Sequence, residues 1–173
     1  MAVILRSRRF VLRPFRKGDE ESLRRSISDK HISRFTITIP YPYNMKDARK
    51  WIMSCLAEGR KKRKVEVRFA IDRAGEVIGG ISLMHIDGHK AELGYWLARS
   101  CWRQGIMTSA SKLVCVFGFR QLKLRRIYAT VLPENKASIR VLEKAGFKFE
   151  GRLRKFHRRG SRLLDALLYA RVI

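Results

Sequence analysis

The chain has 173 residues, 46% of them hydrophobic, which is enough for a real core and excludes wholesale disorder. Lys and Arg number 39 against 15 Asp and Glu, a net charge of +24, so ion pairing cannot absorb the excess. Such a field draws polyanions and anionic ligands. Three readings follow from it: affinity for nucleic acid or ribosomes, attraction of an acidic peptide or phosphorylated cofactor, and a plainly solvated surface.

The length predicts one domain over residues 1–173. Apolar runs fall short of the roughly 20 residues a membrane span needs. Met1–Phe15 is broken by Arg6, Arg8, Arg9 and Arg13 and lacks a signal peptide's apolar stretch. Cys55, Cys101 and Cys115 are scattered and odd in number, with neither metal-ligand spacing nor a disulfide framework. Reduced thiols in a cytoplasmic protein, with no membrane partner, are the expectation.

In chain order, FVLRPF (10–15) predicts a first strand, and Gly18–Glu21 opens a short helix with Leu23 and Ile27 one turn apart. His31–Pro42 reads as irregular, its prolines disfavouring helix. Asn44 caps the next helix, with Asp47 at the third helical position and Trp51, Ile52 and Leu56 on its apolar side. Gly59 and the basic run 60–64 end it.

Val65–Asp72 and Val77–Ile86 read as strands joined at Arg73–Gly75, and Asp87–Gly88 as a hairpin turn into the strand Ala91–Leu97. A loop, Arg99–Gly105, leads to a helix over Ile106–Leu122. Arg126–Leu132 is a strand, and Asn135–Ala145 a helix ended by Gly146. Phe147–Lys155 and Leu163–Val172 are final strands. The order predicts an α+β (mixed α/β) sheet domain.

Two segments carry chemistry. In AELGYWLARSCWRQGIMTSASKL (91–113) a strand enters a short loop and a helix begins at once. The first amides of a helix lack internal partners and, with its dipole, suit an anion such as a pyrophosphate. Gly105 lets the backbone approach a ligand, and Thr108 and Ser109 add hydroxyls. In PENKASIRVLEKAGFKFEG (133–151), Asn135 caps a helix and Ile139 and Leu142 face a core. Spacing alone leaves Ser138 without a role.

Together the segments resemble the GNAT superfamily of N-acetyltransferases, and within it the RimJ/RimL group of ribosomal-protein alanine acetyltransferases. Members read something like GYWL…W-G-K-G-Y-A-T-E-A followed by N-x-A-S-x-R-V-L-E-K-x-GF…EG; here the two read GYWLARSCWRQGIMTSA and NKASIRVLEKAGFKFEG. FVLRPFRKGD, YPYNMKDARKWI and LLDALLYARVI extend the likeness over about residues 9–172.

The resemblance implies a GNAT fold, a mixed central sheet of about seven strands with about four helices. It also implies acetyl-CoA as cosubstrate, without a metal. The amides of Arg103, Gln104, Gly105, Ile106, Met107 and Thr108 match the pyrophosphate loop. The strand ending at Leu97 matches the one whose parted backbone pairs with the pantetheine arm. Asn135 matches a cofactor contact, Ser138 a serine near the thioester sulfur, and Arg140 and Lys144 are candidates for the cofactor phosphates. The chain departs from the pattern at Arg103, Met107 and Ser109. Many members also carry an acid tyrosine where Leu142 stands, so Ser138 or water must serve here.

Candidate bases are Glu92, His157 and Glu150; each is equally readable as a surface group or an ion-pair partner. His85 and His89 flank a turn, a poor metal pair. Tyr41 and Tyr43, with Trp51, suit a substrate wall or plain packing of a loop on the second helix. Of Tyr95 and Trp96 only one can face a groove, and Tyr95 is the substrate-binding candidate.

An α-amino group has a pKa near 8 and lysine about 10.4, so an N-terminus is the easier acceptor for a chain lacking a strong base. A protein N-terminal acetyltransferase is the leading expectation. Acetylation of a small-molecule amine, lysine acetylation, and a basic RNA- or ribosome-binding module on the same fold are the alternatives. The sequence leaves a monomer and a homodimer equally open.

Overall fold

The computed structural model describes residues 3–61 and 65–173; Lys62, Arg63 and Lys64 of the basic run lie outside them. Its elements are β1 (Leu5–Arg6), β2 (Val11–Arg13), α1 (Glu20–Ile27), α2 (Lys30–Phe35), α3 (Met45–Gly59), β3 (Val67–Arg73), β4 (Glu76–Asp87) and β5 (Lys90–Leu97). A short 3₁₀ turn, Arg99–Cys101, precedes α4 (Ile106–Arg120), β6 (Arg126–Val131), α5 (Lys136–Lys144), β7 (Lys148–Arg159) and β8 (Arg162–Val172). The strands form one sheet in the order β1-β2-β3-β4-β5-β6-β8-β7.

Three expectations change. A two-residue strand, β1, precedes the expected first strand (β2), the two joined by a tight connection in which the Ser7 amide donates to the Phe10 carbonyl at 3.0 Å. The stretch from His31 holds a six-residue helix, α2, whose cap is Asp29 accepting from the His31 amide. One and a half turns give no apolar repeat to read in a sequence. The last two strands run on to a turn at Gly160, whose φ is +59°. The described residues thus hold eight strands and five α-helices, where about seven and about four were expected.

The helices divide between the two sheet faces. On one, Leu23, Ile27, Ile32, Ala48 and Ile52 of α1–α3 pack with Phe15, Ala70 and Val77. On the other, Ile106, Ala110, Val114 and Phe117 of α4 and Leu142 of α5 pack with Phe69, Ile81, Leu83, Leu93 and Ile127. Strand β4 is buried without a break from Val77 to Leu83, as expected of a central strand covered on both faces. Each fully buried Leu, Ile or Phe adds about 1.5–3 kcal/mol, so these two cores anchor the sheet.

The strands β5 and β6 are parallel neighbours for only three residues, Lys90–Glu92 against Arg126–Tyr128. Beyond Glu92, β5 continues along β4 to Leu97, while β6 continues along β8 to Val131. The two strands therefore part in the middle of the sheet. Alternation fixes what faces the gap from each side. Leu93, Tyr95 and Leu97 turn toward α4 and α5; Glu92 and Trp96 turn the other way, Trp96 packing against the α1–α3 core.

Candidate active site

The loop before α4 leaves the first amides of the helix unclaimed. Gly105 sits at the helix N-cap with φ +71°, and Arg103 is also left-handed, φ +61°. No side chain caps α4, in contrast to α3, where Asn44 and Asp47 form a complete capping box. The first amide bonded along α4 is that of Ser109, to the Gly105 carbonyl at 3.1 Å. Ile106 and Met107 are buried, so what they can offer a ligand is backbone N–H; Arg103 and Gln104 are exposed and Thr108 is half-buried.

Two arginines from distant strand ends grip this loop. Arg9 donates to the Gln104 carbonyl at 2.5 Å, and Arg73 donates to the Gln104 side-chain oxygen at 3.2 Å. A peptide is planar and trans, so holding the Gln104 carbonyl toward Arg9 aims the Gly105 N–H the opposite way. Neither arginine is legible as a site residue in the sequence, because antiparallel pairing of β2 and β3 is what brings them to the loop.

Tyr95 and Ser138 meet across the gap from the α4–α5 side. The two hydroxyls are 2.8 Å apart, and the Tyr95 hydroxyl also donates to the Ser138 carbonyl at 3.3 Å. Burial raises the Tyr95 phenol well above its ordinary value, with the Ser138 contact acting the other way, so it keeps its proton. Tyr95 thus stands with Ser138 on the α4–α5 side of the gap, away from Glu92 and the groove lined by Tyr41. Asn135 caps α5, its side-chain oxygen accepting from the Ser138 amide at 3.1 Å, which orients the serine. The Leu97 carbonyl is taken by the Trp102 indole at 2.8 Å. Arg140 is exposed on α5. Lys144 lies at the far end of α5, about 13 Å from its start at 1.5 Å per residue. There it shares a cavity of about 490 Å³ with Lys112 and Arg171, away from the loop.

On the opposite face of the gap sits Glu92. Its Oε1 accepts from the Thr130 hydroxyl at 2.9 Å, and Oε2 lies 3.2 Å from His85 Nδ1. His157, half-buried on β7, lies within the field of Glu92. Desolvation lowers the His157 pKa below its usual value and Arg159 lowers it further, outweighing the pull of Glu92, so the imidazole is neutral at neutral pH. Glu150 is engaged elsewhere: Arg126 donates to it at 2.9 Å and holds its carboxyl below the usual range. A groove of about 420 Å³ is lined by Ser33, Thr36, Ile39, Tyr41 and Arg159, with Arg159 standing two residues beyond His157 on β7. Tyr43 does not line it. That ring is buried in the α1–α3 core at 7% exposure, and burial pushes its phenol up to about 12.

A loop of unclaimed helix amides, two strands that part beyond it, and a carboxylate and a protonated phenol on opposite faces of the gap suit an acyl transfer from a phosphorylated thioester. The sequence profile described as acetyltransferase (GNAT) domain matches residues 9–148. The chain belongs to the GNAT acetyltransferase family. It is similar to the uncharacterized N-acetyltransferase YoaA of Bacillus subtilis (strain 168), 30% identical over 98% of this chain and 97% of that one. Spermidine N(1)-acetyltransferase of Escherichia coli (strain K12) is 27% identical over 82% of this chain and 74% of that one. Mycobacterium smegmatis RimJ, solved in complex with CoA-disulfide, superposes at a TM-score of 0.85 with 27% identity, over 99% of this chain and 86% of that one. This GNAT protein is therefore an N-acetyltransferase using acetyl-CoA as its cosubstrate. Among the described residues no cluster of three or more His, Cys, Asp or Glu is placed to hold a metal, and no helix is long and apolar enough to cross a membrane.

Proposed function

We propose that this acetyltransferase acts on the α-amino group of a protein or peptide N-terminus, a ribosomal protein being the leading class. The observation that carries this reading is the lining of the acceptor groove. It contains a cation, Arg159, and no carboxylate. A polyamine would bring two or more positive charges to that wall and to a chain of net charge +24. An extended peptide brings one charge at its end, and its neighbouring residues are free to be neutral or acidic.

In this reading the amides of Arg103–Thr108 receive the cofactor's pyrophosphate, and Arg140 is placed for its phosphates. Lys144 enters only if the nucleotide end reaches the far half of α5. The unpaired edge of β5 up to Leu97 pairs with the pantetheine arm, and a β5 amide polarises the thioester carbonyl. The acceptor amine reaches the carbonyl from the opposite face, past Tyr41. Glu92, with His157 beside it, takes the proton of an ammonium that is already roughly 10% neutral at pH 7. Ser138, oriented by Asn135 and bonded to Tyr95, faces the departing sulfur; the phenol supplies the proton in place of the tyrosine that Leu142 replaces.

The three free cysteines are compatible with a cytoplasmic enzyme. The basic surface also suits transient contact with ribosomal RNA through its phosphates. The test offers purified protein and labelled acetyl-CoA three acceptors: peptides with free α-amines, the same peptides blocked at the α-amine but carrying lysine, and spermidine. Mass spectrometry locates the label. Label on α-amines supports the reading; label confined to spermidine or lysine replaces it.

A further inference from the structure

Both oxygens of Glu92 are engaged, and by different chemistry. Thr130 gives Oε1 a hydroxyl proton that it does not release near neutral pH, whereas His85 gives Oε2 a titratable imidazole. The backbone is bent to make this second contact. The β4–β5 register shifts between Met84 and Asp87, and His85 within that bulge has φ +50°, a left-handed conformation uncommon outside glycine. A second bulge does the same on the other side. The β7–β8 register shifts between Leu153 and His157, and Lys155 inside it also has φ +50°. Bulges beside active sites commonly re-aim a side chain, and here two of them precede or contain the two histidines that flank one carboxylate.

The histidines differ in access. The His85 side chain is 68% exposed, so its second nitrogen reaches bulk water. His157 is half-buried beside Arg159, whose charge opposes a second positive charge there. The other groups facing Glu92 are Thr130 and Tyr128 of β6; burial raises the Tyr128 phenol, with Glu92 adding to that, so it is neutral too.

We propose that His85 is the proton outlet of the acceptor site, a positioning residue that acts through Glu92. This rests on Glu92 being the base for the acceptor amine. A proton leaves the acceptor ammonium for a Glu92 carboxylate oxygen, freeing the nitrogen lone pair for attack. It passes from Oε2 to an unprotonated Nδ1 of His85, 3.2 Å away, and the ring then releases the proton on Nε2 to water. Glu92 is again an anion and His85 has given up the proton it gained, with the tautomer reset by exchange with solvent.

The test is the pH profile of kcat/KM for the full chain, using whichever amine the unaltered enzyme acetylates, with His85→Gln, His85→Ala and Glu92→Gln. The relay predicts that both His85 variants lose roughly tenfold below the acceptor's pKa and converge on the unaltered enzyme above it, where the amine needs no base. Added imidazole restores His85→Ala. A loss equal at every pH, or no loss, overturns the relay. If Glu92→Gln retains full activity, the base assignment falls and the relay with it. If only Glu92→Gln is impaired, the relay alone falls. Choosing the acceptor by activity keeps this outcome separate from whether that acceptor is an N-terminus.

Discussion

The hydroxyls of Tyr95 and Ser138 lie 2.8 Å apart, one on β5 and the other on α5, and they close the α4–α5 side of the gap between the parted strands. Burial keeps the phenol protonated, and its contact fixes the Ser138 hydroxyl that would hydrogen-bond a leaving thiolate. Tyr95→Phe keeps the ring in its packing and removes only the hydroxyl. It is expected to lower kcat by about tenfold to a hundredfold with little change in KM for acetyl-CoA. Ser138→Ala should do the same, and the double variant should lose little more than either alone, because the two act as one unit. Steady-state kinetics at saturating acceptor check this.

Gly105 supplies the left-handed residue at the start of α4. A side chain there is strained by about 1–2 kcal/mol, and relief would turn the loop amides off the anion. Gly105→Ala is therefore expected to raise the dissociation constant for coenzyme A by about tenfold, 1.4 kcal/mol being one decade. Arg9→Gln should weaken binding in the same direction and Arg9→Lys less so, since Arg9 fixes the Gln104 carbonyl. Titration calorimetry with coenzyme A measures both.

Apart from β1 and the short α2, the order of elements was legible because each has a local cause. Asn44 with Asp47 announces α3, Gly146 ends the chain turn after α5, and the apolar run from Val77 needs a central strand. The Gly105 loop and the Asn135 segment were legible through their family likeness. Glu92 and Ser138 were legible as candidates but not their partners. Thr130 reaches Glu92 only because β5 and β6 run parallel for three residues, and His85 only because β4 bulges. A β-bulge has no composition of its own when its left-handed residue is histidine. Tyr43, which the sequence left open between a substrate wall and packing on the second helix, is core.

Beneath the site, Arg13 is nearly buried between two carboxylates. It holds Asp19 through two bonds of 2.8 Å and Asp72 through one of 2.6 Å. Arg13→Ala would strand both acids in the interior. Breaking such a buried arrangement from one side costs about 3–5 kcal/mol. For a chain of this size that is a fall in Tm of roughly 10 °C, measurable by calorimetry. Restoring charge balance with Asp19→Asn in the same chain should recover part of it.

His157 links pH to stability with a definite sign. Its folded pKa is below the unfolded value of about 6.5, chiefly through burial, so below that pH the unfolded chain binds the proton first. The contribution is fully present above about pH 6.5 and is lost as pH falls through the folded value. His157→Gln should flatten this part of the curve of urea midpoint against pH below about 6.5. A group with a raised pKa would give the opposite slope, lost as pH rises.

The β7–β8 hairpin, whose Arg159 lines the groove, carries a run of positive side chains. Arg152 has an acidic partner, Asp165 at 2.7 Å; among the described residues Arg154, Lys155, Arg158 and Arg162 have none. An acceptor whose second and later residues are acidic would pass along this run once its N-terminus lies near Glu92. Exposed pairs contribute about 0.2–1 kcal/mol each, so Arg154→Ser with Arg158→Ser should raise KM for an acidic N-terminal peptide by about fivefold. KM for a neutral peptide should hold, and the acidic peptide's advantage should shrink as salt shortens the reach of surface charge to a few ångström. An equal loss for both peptides would mean the hairpin only shapes the groove, and salt would then leave their ratio unchanged.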